Sequence, residues 1–120
     1  MKLTRKVRRL LDIFDKAEML VRVDDRPKLL VEIVEIFLDD APHRIDKLKQ
    51  ALKANDIDFI EDKAHALKGA SANISAHALQ QCALAVEQAV KQNDTNKIAE
   101  LIKILEDEYT ALKAYLSAHL

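Results

Sequence analysis

The scarcity of helix-breaking residues constrains the fold of this chain more than any other feature. Only one glycine and two prolines occur among 120 residues, and both residue types destabilise helix interiors. Segments with the strict alternation of apolar and polar residues that is typical of strands are absent. The chain is long enough for one hydrophobic core and has the length of a single ordinary domain. We therefore predict one all-helical domain.

Apolar residues recur at intervals of three and four positions in four long segments, which is the spacing of amphipathic helices. The marker positions are Leu30, Ile33, Val34, Phe37, Leu38, Ile45, Leu48, Ala51 and Leu52 in the first segment, Ile60, Ala64, Leu67, Ser71 and Ile74 in the second, Leu79, Cys82, Ala83, Val86, Ala89 and Val90 in the third, and Ile98, Leu101, Ile102, Leu105, Tyr109, Leu112 and Leu116 in the fourth. Because the connections are short, neighbouring helices should run in opposite directions. This pattern predicts an antiparallel four-helix bundle.

The polar residues between these segments suggest where the helices begin. Candidate capping residues are Asp25 for the first long helix, Asp56 or Asp58 for the second, and Asp94 or Thr95 for the last. Pro27 fits the first turn of a helix, whereas Pro42 lies inside the first apolar stripe, where we expect a kink in one continuous helix. A shorter helix is expected upstream, with Phe14, Ala17, Leu20 and Val21 as its apolar positions.

Residues 1–13 differ from the remainder in being strongly basic. They contain Lys2, Arg5, Lys6, Arg8 and Arg9. We predict a basic helical extension or linker in residues 1–13, followed by the bundle in residues 14–120. The extension is either a solvated helix that packs over the bundle end or joins an upstream domain, or a basic interaction arm. It lacks the apolar core of a signal peptide, and no segment reaches the length of a membrane span.

Charge and cysteine content exclude several classes of function. The formal net charge is -1, which gives no overall attraction to nucleic acid or to a membrane, and we expect no direct membrane insertion. Cys82 is the only cysteine, so an internal disulfide cannot form. Its apolar position predicts a buried, unreactive thiol, and a reducing cytoplasmic location fits this composition.

One histidine is placed where it can do chemistry. On a helical wheel, the apolar residues of the second segment define the core side, and His65 lies about 140° from them, on the solvent side. An exposed neutral imidazole is a nucleophile that can accept a phosphoryl group near pH 7. Lys68, three residues later, offers positive charge to a phosphate. Gly69 lowers the stability of the helix relative to alanine, but it leaves space through which a partner's backbone could approach.

The segment "AHALKGASANISAHAL" around these residues resembles the signature of the histidine-containing phosphotransfer (HPt) domain. The resemblance continues upstream through "LLVEIVEIFLDDAPHRIDKLKQALKANDIDFIEDKAH" and downstream through "LQQCALAVEQAVKQND", and covers about residues 14 to 118. It implies that His65 is phosphorylated, that Lys68 neutralises the phosphate, and that Gly69 provides clearance. It also implies that Glu87 orients the histidine. With a turn near residue 75, His65 should lie opposite about residue 85, close to Glu87.

The resemblance further implies a phosphorelay intermediate. Such a domain takes a phosphoryl group from a receiver-domain aspartate and passes it to another receiver domain. It is a covalent carrier rather than an enzyme, and we expect no nucleotide site and no cofactor, with Mg²⁺ bound by the partner receiver. The expected partners are response-regulator receiver domains and a hybrid sensor histidine kinase, and the expected state is a monomer. Leu84, predicted to be exposed level with His65, is a candidate docking contact together with Gly69 and Ala72.

The sequence departs from the family pattern at two turns. Ser75 stands where the family usually has glycine, so Asn73 or Ser75 has to supply a left-handed backbone conformation. The loop before the first long helix often reads G-G-D in the family, and here it reads "VDD" at residues 23–25. Both departures concern turn geometry rather than the residues expected to carry the chemistry.

Two other functions are alternatives to a phosphorelay intermediate. The chain could be a helical interaction module without phosphotransfer, or the dimerising region of a histidine kinase. Histidine kinases, however, usually place a carboxylate directly after the histidine, where Ala66 stands here.

The histidines could in principle bind a metal ion. They are His43, His65, His77 and His119. They show no pairing typical of di-metal bundles, so we expect no metal site, with His77 and His119 solvated.

Overall fold

The computed structural model describes residues 3–120, which form six helices. Their bounds are Arg5–Ile13 (α1), Lys16–Arg22 (α2), Pro27–Lys53 (α3), Ile57–Asn73 (α4), His77–Lys91 (α5) and Thr95–His119 (α6). The four long helices α3 to α6 form the predicted antiparallel bundle, in which each helix packs against two others: α3 against α4 and α6, and α5 against α4 and α6. Helix α1 lies on α5 and α6, and α2 lies on α3.

The core is mainly aliphatic, and the predicted apolar stripes supply most of it. Fully buried residues include Leu48, Ile60, Leu67, Leu79 and Leu105. Because each long helix buries one stripe and exposes the opposite face, the bundle closes around a single core. Within residues 3–120, no helix is long and apolar enough to span a bilayer.

Helix α3 runs uninterrupted through Pro42, which confirms the prediction of one continuous helix, while the expected kink stays a prediction. A proline has no backbone N–H, so the carbonyl four residues earlier, that of Leu38, loses its helical donor. The Tyr109 hydroxyl of α6 donates a hydrogen bond to this carbonyl oxygen at 3.2 Å. The ring of Tyr109 is buried, and burial raises the pKa of its hydroxyl. The bundle thus satisfies the acceptor that Pro42 leaves without its usual partner.

Two of the predicted capping sites are confirmed and one is wrong. The carboxylates of Asp56 and Asp94 accept hydrogen bonds from backbone N–H groups in the first turns of α4 and α6. At the start of α3, the capping position is held by Arg26, whose side chain forms no capping hydrogen bond. Asp25 instead has a φ of 57° and lies within the left-handed turn between α2 and α3, one residue too early to cap the helix.

The short upstream helix also differs from the prediction. Phe14 is buried in an extended segment between α1 and α2 and belongs to neither helix. In α2 the buried residue is Met19, whereas Val21, predicted for the apolar face, is 79% exposed. A helix of seven residues has only two turns, so the packing of its neighbours decides which side it buries, and periodicity is a weak guide.

A cluster of polar contacts holds the turn between α4 and α5. Ser75 has a φ of 59° and thus supplies the left-handed conformation that the sequence required of Asn73 or Ser75. The Arg22 guanidinium donates to the backbone carbonyl oxygens of Ala72 and Asn73, both at 3.0 Å, and to the Ser75 hydroxyl oxygen at 2.8 Å. The Ser75 hydroxyl in turn donates to the Glu18 carboxylate at 2.8 Å. Helix α2 therefore fastens the end of α4.

Helix α1 is attached to the bundle by an ion pair. The Arg9 guanidinium contacts both carboxylate oxygens of Glu108, at 2.6 and 2.9 Å. Cys82 lies in the groove that α1, α5 and α6 line, and it is half-buried rather than fully buried as predicted. Burial still raises the pKa of its thiol, which lowers the fraction of reactive thiolate.

The role of Tyr109 can be tested with a double-mutant cycle. Tyr109→Phe should destabilise the protein by about 1–2 kcal/mol, because the Leu38 carbonyl is left without a donor. In a Pro42→Ala background, residue 42 regains its N–H and can supply that carbonyl, so Tyr109→Phe should cost less than about 0.5 kcal/mol. Chemical denaturation of the four proteins measures both values. Equal costs in the two backgrounds would show that the hydroxyl does not serve the carbonyl.

Candidate functional site

His65 lies in the middle of α4, on the side opposite the core. Ile60, Ala64 and Leu67 of the same helix are fully buried, and the His65 side chain is 71% exposed. This arrangement confirms the orientation predicted from the helical wheel. The imidazole is therefore available to a partner molecule.

A carboxylate from the neighbouring helix holds the imidazole in place. Glu87 of α5 contacts Nδ1 of His65 through Oε2 at 3.2 Å, and contacts Nζ of Lys68 through Oε1 at 2.9 Å. The Glu87 side chain is only 9% exposed, and each of its oxygens contacts one protein partner. The structure thus brings three of the predicted site residues into one network.

The charge state of Glu87 fixes the tautomer of His65. Burial by itself raises the pKa of the Glu87 carboxyl, but contacts with the Lys68 ammonium and the His65 ring outweigh it, so this pKa lies below its usual value. An ionised carboxylate can only accept hydrogen bonds. Nδ1 of His65 must then carry the proton, which leaves the lone pair on Nε2. The free lone pair is therefore on the ring nitrogen that does not contact Glu87.

The surface beside the imidazole is formed by small residues. Gly69 is exposed and helical, and a Cβ built on it would meet no atom within 4 Å. Neither a crowded contact nor an unusual backbone angle in this chain therefore requires glycine at this position. Ala72, one turn further on, is half-buried. The two residues leave open space next to His65.

Leu84 is less exposed than the sequence predicted. It is half-buried rather than exposed. The docking role predicted for Leu84, like those for Gly69 and Ala72, stays a prediction.

Sequence reasoning missed the polar cluster of α2 beside the turn. Arg22 and Glu18 are ordinary surface residues of a short helix in the sequence, and no local signal indicates that they reach across to Ser75. His77, predicted to be solvated, is partly exposed, and its Nε2 lies 2.9 Å from Oε1 of Glu18. His119 is exposed, as predicted, and its ring stacks on Tyr115.

Asp15, Glu18 and His77 are the one group of ligand-type side chains within residues 3–120 that lie close enough together to hold a metal ion. Glu18, however, already contacts the positively charged Arg22 and accepts the hydroxyl of Ser75. A nearby guanidinium opposes a cation at the same carboxylate.

Comparison with known proteins decides the family. The family model described as the Hpt domain matches residues 32–115. The chain belongs to the Hpt domain family. Because the match begins within α3, the predicted boundary between residues 13 and 14 stays a prediction.

Two relatives show how far the similarity extends. The chain is 24% identical over 111 residues to histidine-containing phosphotransfer protein 1 of rice (Oryza sativa subsp. japonica), which covers 91% of this chain and 75% of the rice protein. It also resembles the crystal structure of the HPT domain of a sensor hybrid histidine kinase from Shewanella, with a TM-score of 0.69 and 26% identity. That likeness covers 90% of this chain and 97% of the solved one.

Membership of the Hpt family assigns a general activity. Hpt domains are phosphohistidine carriers in phosphorelays, and they are not catalysts in their own right. They interact with receiver domains and kinases. The comparisons place the chain in this family by sequence and by fold.

The contact between Glu87 and His65 can be tested by nitrogen NMR of the imidazole. At a pH where the ring is neutral, His65 should show the tautomer protonated on Nδ1. Glu87→Ala should shift the population toward a mixture, since the buried acceptor is lost. Glu87→Gln should largely keep the tautomer, because its amide oxygen can accept the same proton. His43, which is exposed on α3, provides the internal control. An unchanged His65 tautomer in Glu87→Ala would refute the assignment.

Proposed function

We propose that His65 accepts a phosphoryl group from the aspartyl phosphate of one receiver domain and passes it to the aspartate of a second receiver. The observation that carries this proposal is the single network of His65, Lys68 and Glu87 in an Hpt domain, with the imidazole exposed and its partner carboxylate buried. The phosphoryl group would be carried on Nε2, because that nitrogen has the lone pair.

Each transfer replaces one bond to phosphorus with another and involves only the imidazole and the receiver's aspartate. Nε2 of His65 forms a bond to phosphorus as the bond between phosphorus and the aspartyl oxygen breaks, and the aspartate leaves as a carboxylate. The proton on Nδ1 stays in place, and the ring becomes more positive during the step. The Glu87 carboxylate stabilises that charge and keeps the ring oriented. The second transfer is the reverse reaction with a different receiver.

Lys68 would stabilise the phosphoryl group once it is attached. A phosphoryl group carries about two negative charges near neutral pH. Lys68 lies three residues after His65, which places the two side chains next to each other on the helix. Its ammonium contacts Glu87 in the free protein, and an adjacent phosphate would offer it a second anionic partner.

The proposed partners follow from the same chemistry. A receiver domain would approach over Gly69, Ala72 and Leu84, and Mg²⁺ would be bound in the receiver rather than in this chain. A hybrid sensor histidine kinase would supply the phosphoryl group, and the reaction would take place in the cytoplasm. A monomeric carrier is supported by the core, since the apolar stripes of α3 to α6 cover one another within one chain.

His65→Gln should abolish labelling by a phosphorylated receiver, because no other residue of the site offers a nucleophilic nitrogen of this kind. His43→Gln removes an exposed histidine elsewhere on the bundle and should label normally. In the wild type the label should be lost in acid and retained in base, as expected of a phosphoramidate. Circular dichroism checks that both variants stay folded. Retained labelling of His65→Gln would contradict the proposal, and a folded wild type that is not labelled at all would favour a helical interaction module without phosphotransfer.

Gly69→Gln should block transfer from a receiver without unfolding the protein. A longer side chain would fill the open space beside His65 and prevent in-line attack, and we expect the rate to fall by at least about a hundredfold. A small donor such as phosphoramidate needs no docked protein and should label the variant at nearly the wild-type rate.

Gly69→Ala is the matched control for this experiment. Alanine is the better helix former, so it should stabilise the protein by up to about 1 kcal/mol, and its methyl group should slow transfer far less than glutamine does. If folded Gly69→Gln accepts phosphate from a receiver at the normal rate, the clearance role of Gly69 is wrong.

A further inference from the structure

Helix α1 is a positively charged element on an otherwise acidic protein. Residues 1–13 hold five of the 19 lysine and arginine residues but only Asp12 among the 20 acidic residues. The remaining 107 residues therefore contain 14 basic and 19 acidic side chains. Within residues 3–120, only Arg9 of α1 forms an ion pair with the bundle, so the other basic side chains of this helix do not attach it to the bundle through ion pairs.

The side of α1 that faces the bundle is defined by two contacts. Arg9 binds Glu108 of α6, and Ile13 is buried. On a helical wheel these two residues lie within about 40° of each other. The other apolar side chains of this segment point elsewhere.

Three of those apolar side chains form a second, partly exposed stripe. Leu3 lies just before the helix, and Val7, Leu10 and Leu11 fall within an arc of about 100° on it, whose centre lies about 130° from the side that faces the bundle. They are 46%, 41%, 37% and 37% exposed. Three partly exposed apolar residues on one face of a surface helix, with a fourth just before it, are more than scattered exposure would give.

Cations flank this stripe on both sides. Lys6 and Arg8 lie about 95° and 105° from its centre, in opposite directions. Together with Arg5, they form no ion pair with any side chain in residues 3–120. Long basic side chains in these positions can extend toward anionic groups while the apolar residues between them are buried.

We propose that α1 binds the surface of a membrane that contains anionic phospholipids. The apolar stripe would enter the boundary between headgroups and acyl chains, and Lys6 and Arg8 would contact the lipid phosphates. A flat lipid surface meets the apolar stripe and the cations on both of its sides at once, and it requires no pocket. Since α1 packs on α5 and α6 and His65 projects from α4, binding would leave the imidazole accessible. The proposal is independent of the phosphotransfer proposed above.

Flotation of the 120-residue protein with lipid vesicles tests this inference. The protein should float with vesicles made of equal parts of phosphatidylglycerol and phosphatidylcholine, and at least about tenfold less with phosphatidylcholine alone, because each cation near an anionic surface contributes to binding. Added salt should weaken the binding, since it screens the charges.

Matched variants locate the contact on α1. Lys6→Glu combined with Arg8→Glu should reduce binding at least about tenfold, whereas Lys47→Glu combined with Lys53→Glu, the same charge change on exposed residues of α3, should reduce it far less. Val7→Ser combined with Leu11→Ser should also weaken binding, with the helical circular dichroism unchanged.

Three results would overturn the inference. These are the absence of binding to anionic vesicles, equal binding to neutral vesicles, and equal losses in the α1 and α3 charge variants. An α1 that binds an acidic protein surface but no vesicle would count among them, because the lipid surface is the partner proposed here.

Discussion

The candidate site depends on the antiparallel contact between α4 and α5. His65 and Glu87 are 22 positions apart, and only the packing of their helices brings their side chains together. The turn at Ser75 sets the register of this contact, and Arg22 fastens the end of α4 to that turn. A shift of one residue along either helix would rotate its side chains by about 100° and separate the carboxylate from the imidazole.

Burial of the Glu87 carboxylate is electrostatically unfavourable by itself. A buried carboxylate is unfavourable unless charged or polar partners compensate it, and Glu87 has one partner at each oxygen. The same contacts leave the imidazole oriented but exposed. The protein thus keeps a buried acceptor for one ring nitrogen and an open surface for the other. Gly69, next to this surface, weakens the helix and relieves no crowding in this chain, which agrees with a requirement imposed by a partner.

The features that could be predicted from the sequence are those that depend on one helix alone. The apolar stripes of the four long helices were recognised because many turns repeat the same pattern, and the relation of His65 to Lys68 and Gly69 follows from spacings of three and four residues. Predictions at short or isolated features were less reliable. The capping role of Asp25, the buried side of α2 and the exposure of Leu84 each depend on neighbouring helices, and each differed from expectation.

The sequence by itself determined the helical fold, the solvent-facing position of His65 and the residues that accompany it along α4. These features depend on backbone hydrogen bonds and side-chain spacings within a few residues, which the local sequence specifies. The role of Glu87 was assigned by resemblance, and the turn near residue 75 placed it only approximately opposite His65, since the contact needs the correct register between two helices. The tertiary structure alone decided that Tyr109 serves the Leu38 carbonyl opposite Pro42, and that Arg22 reaches the α4–α5 turn. Such contacts join residues 50 or more positions apart, and their geometry is set by how whole helices pack.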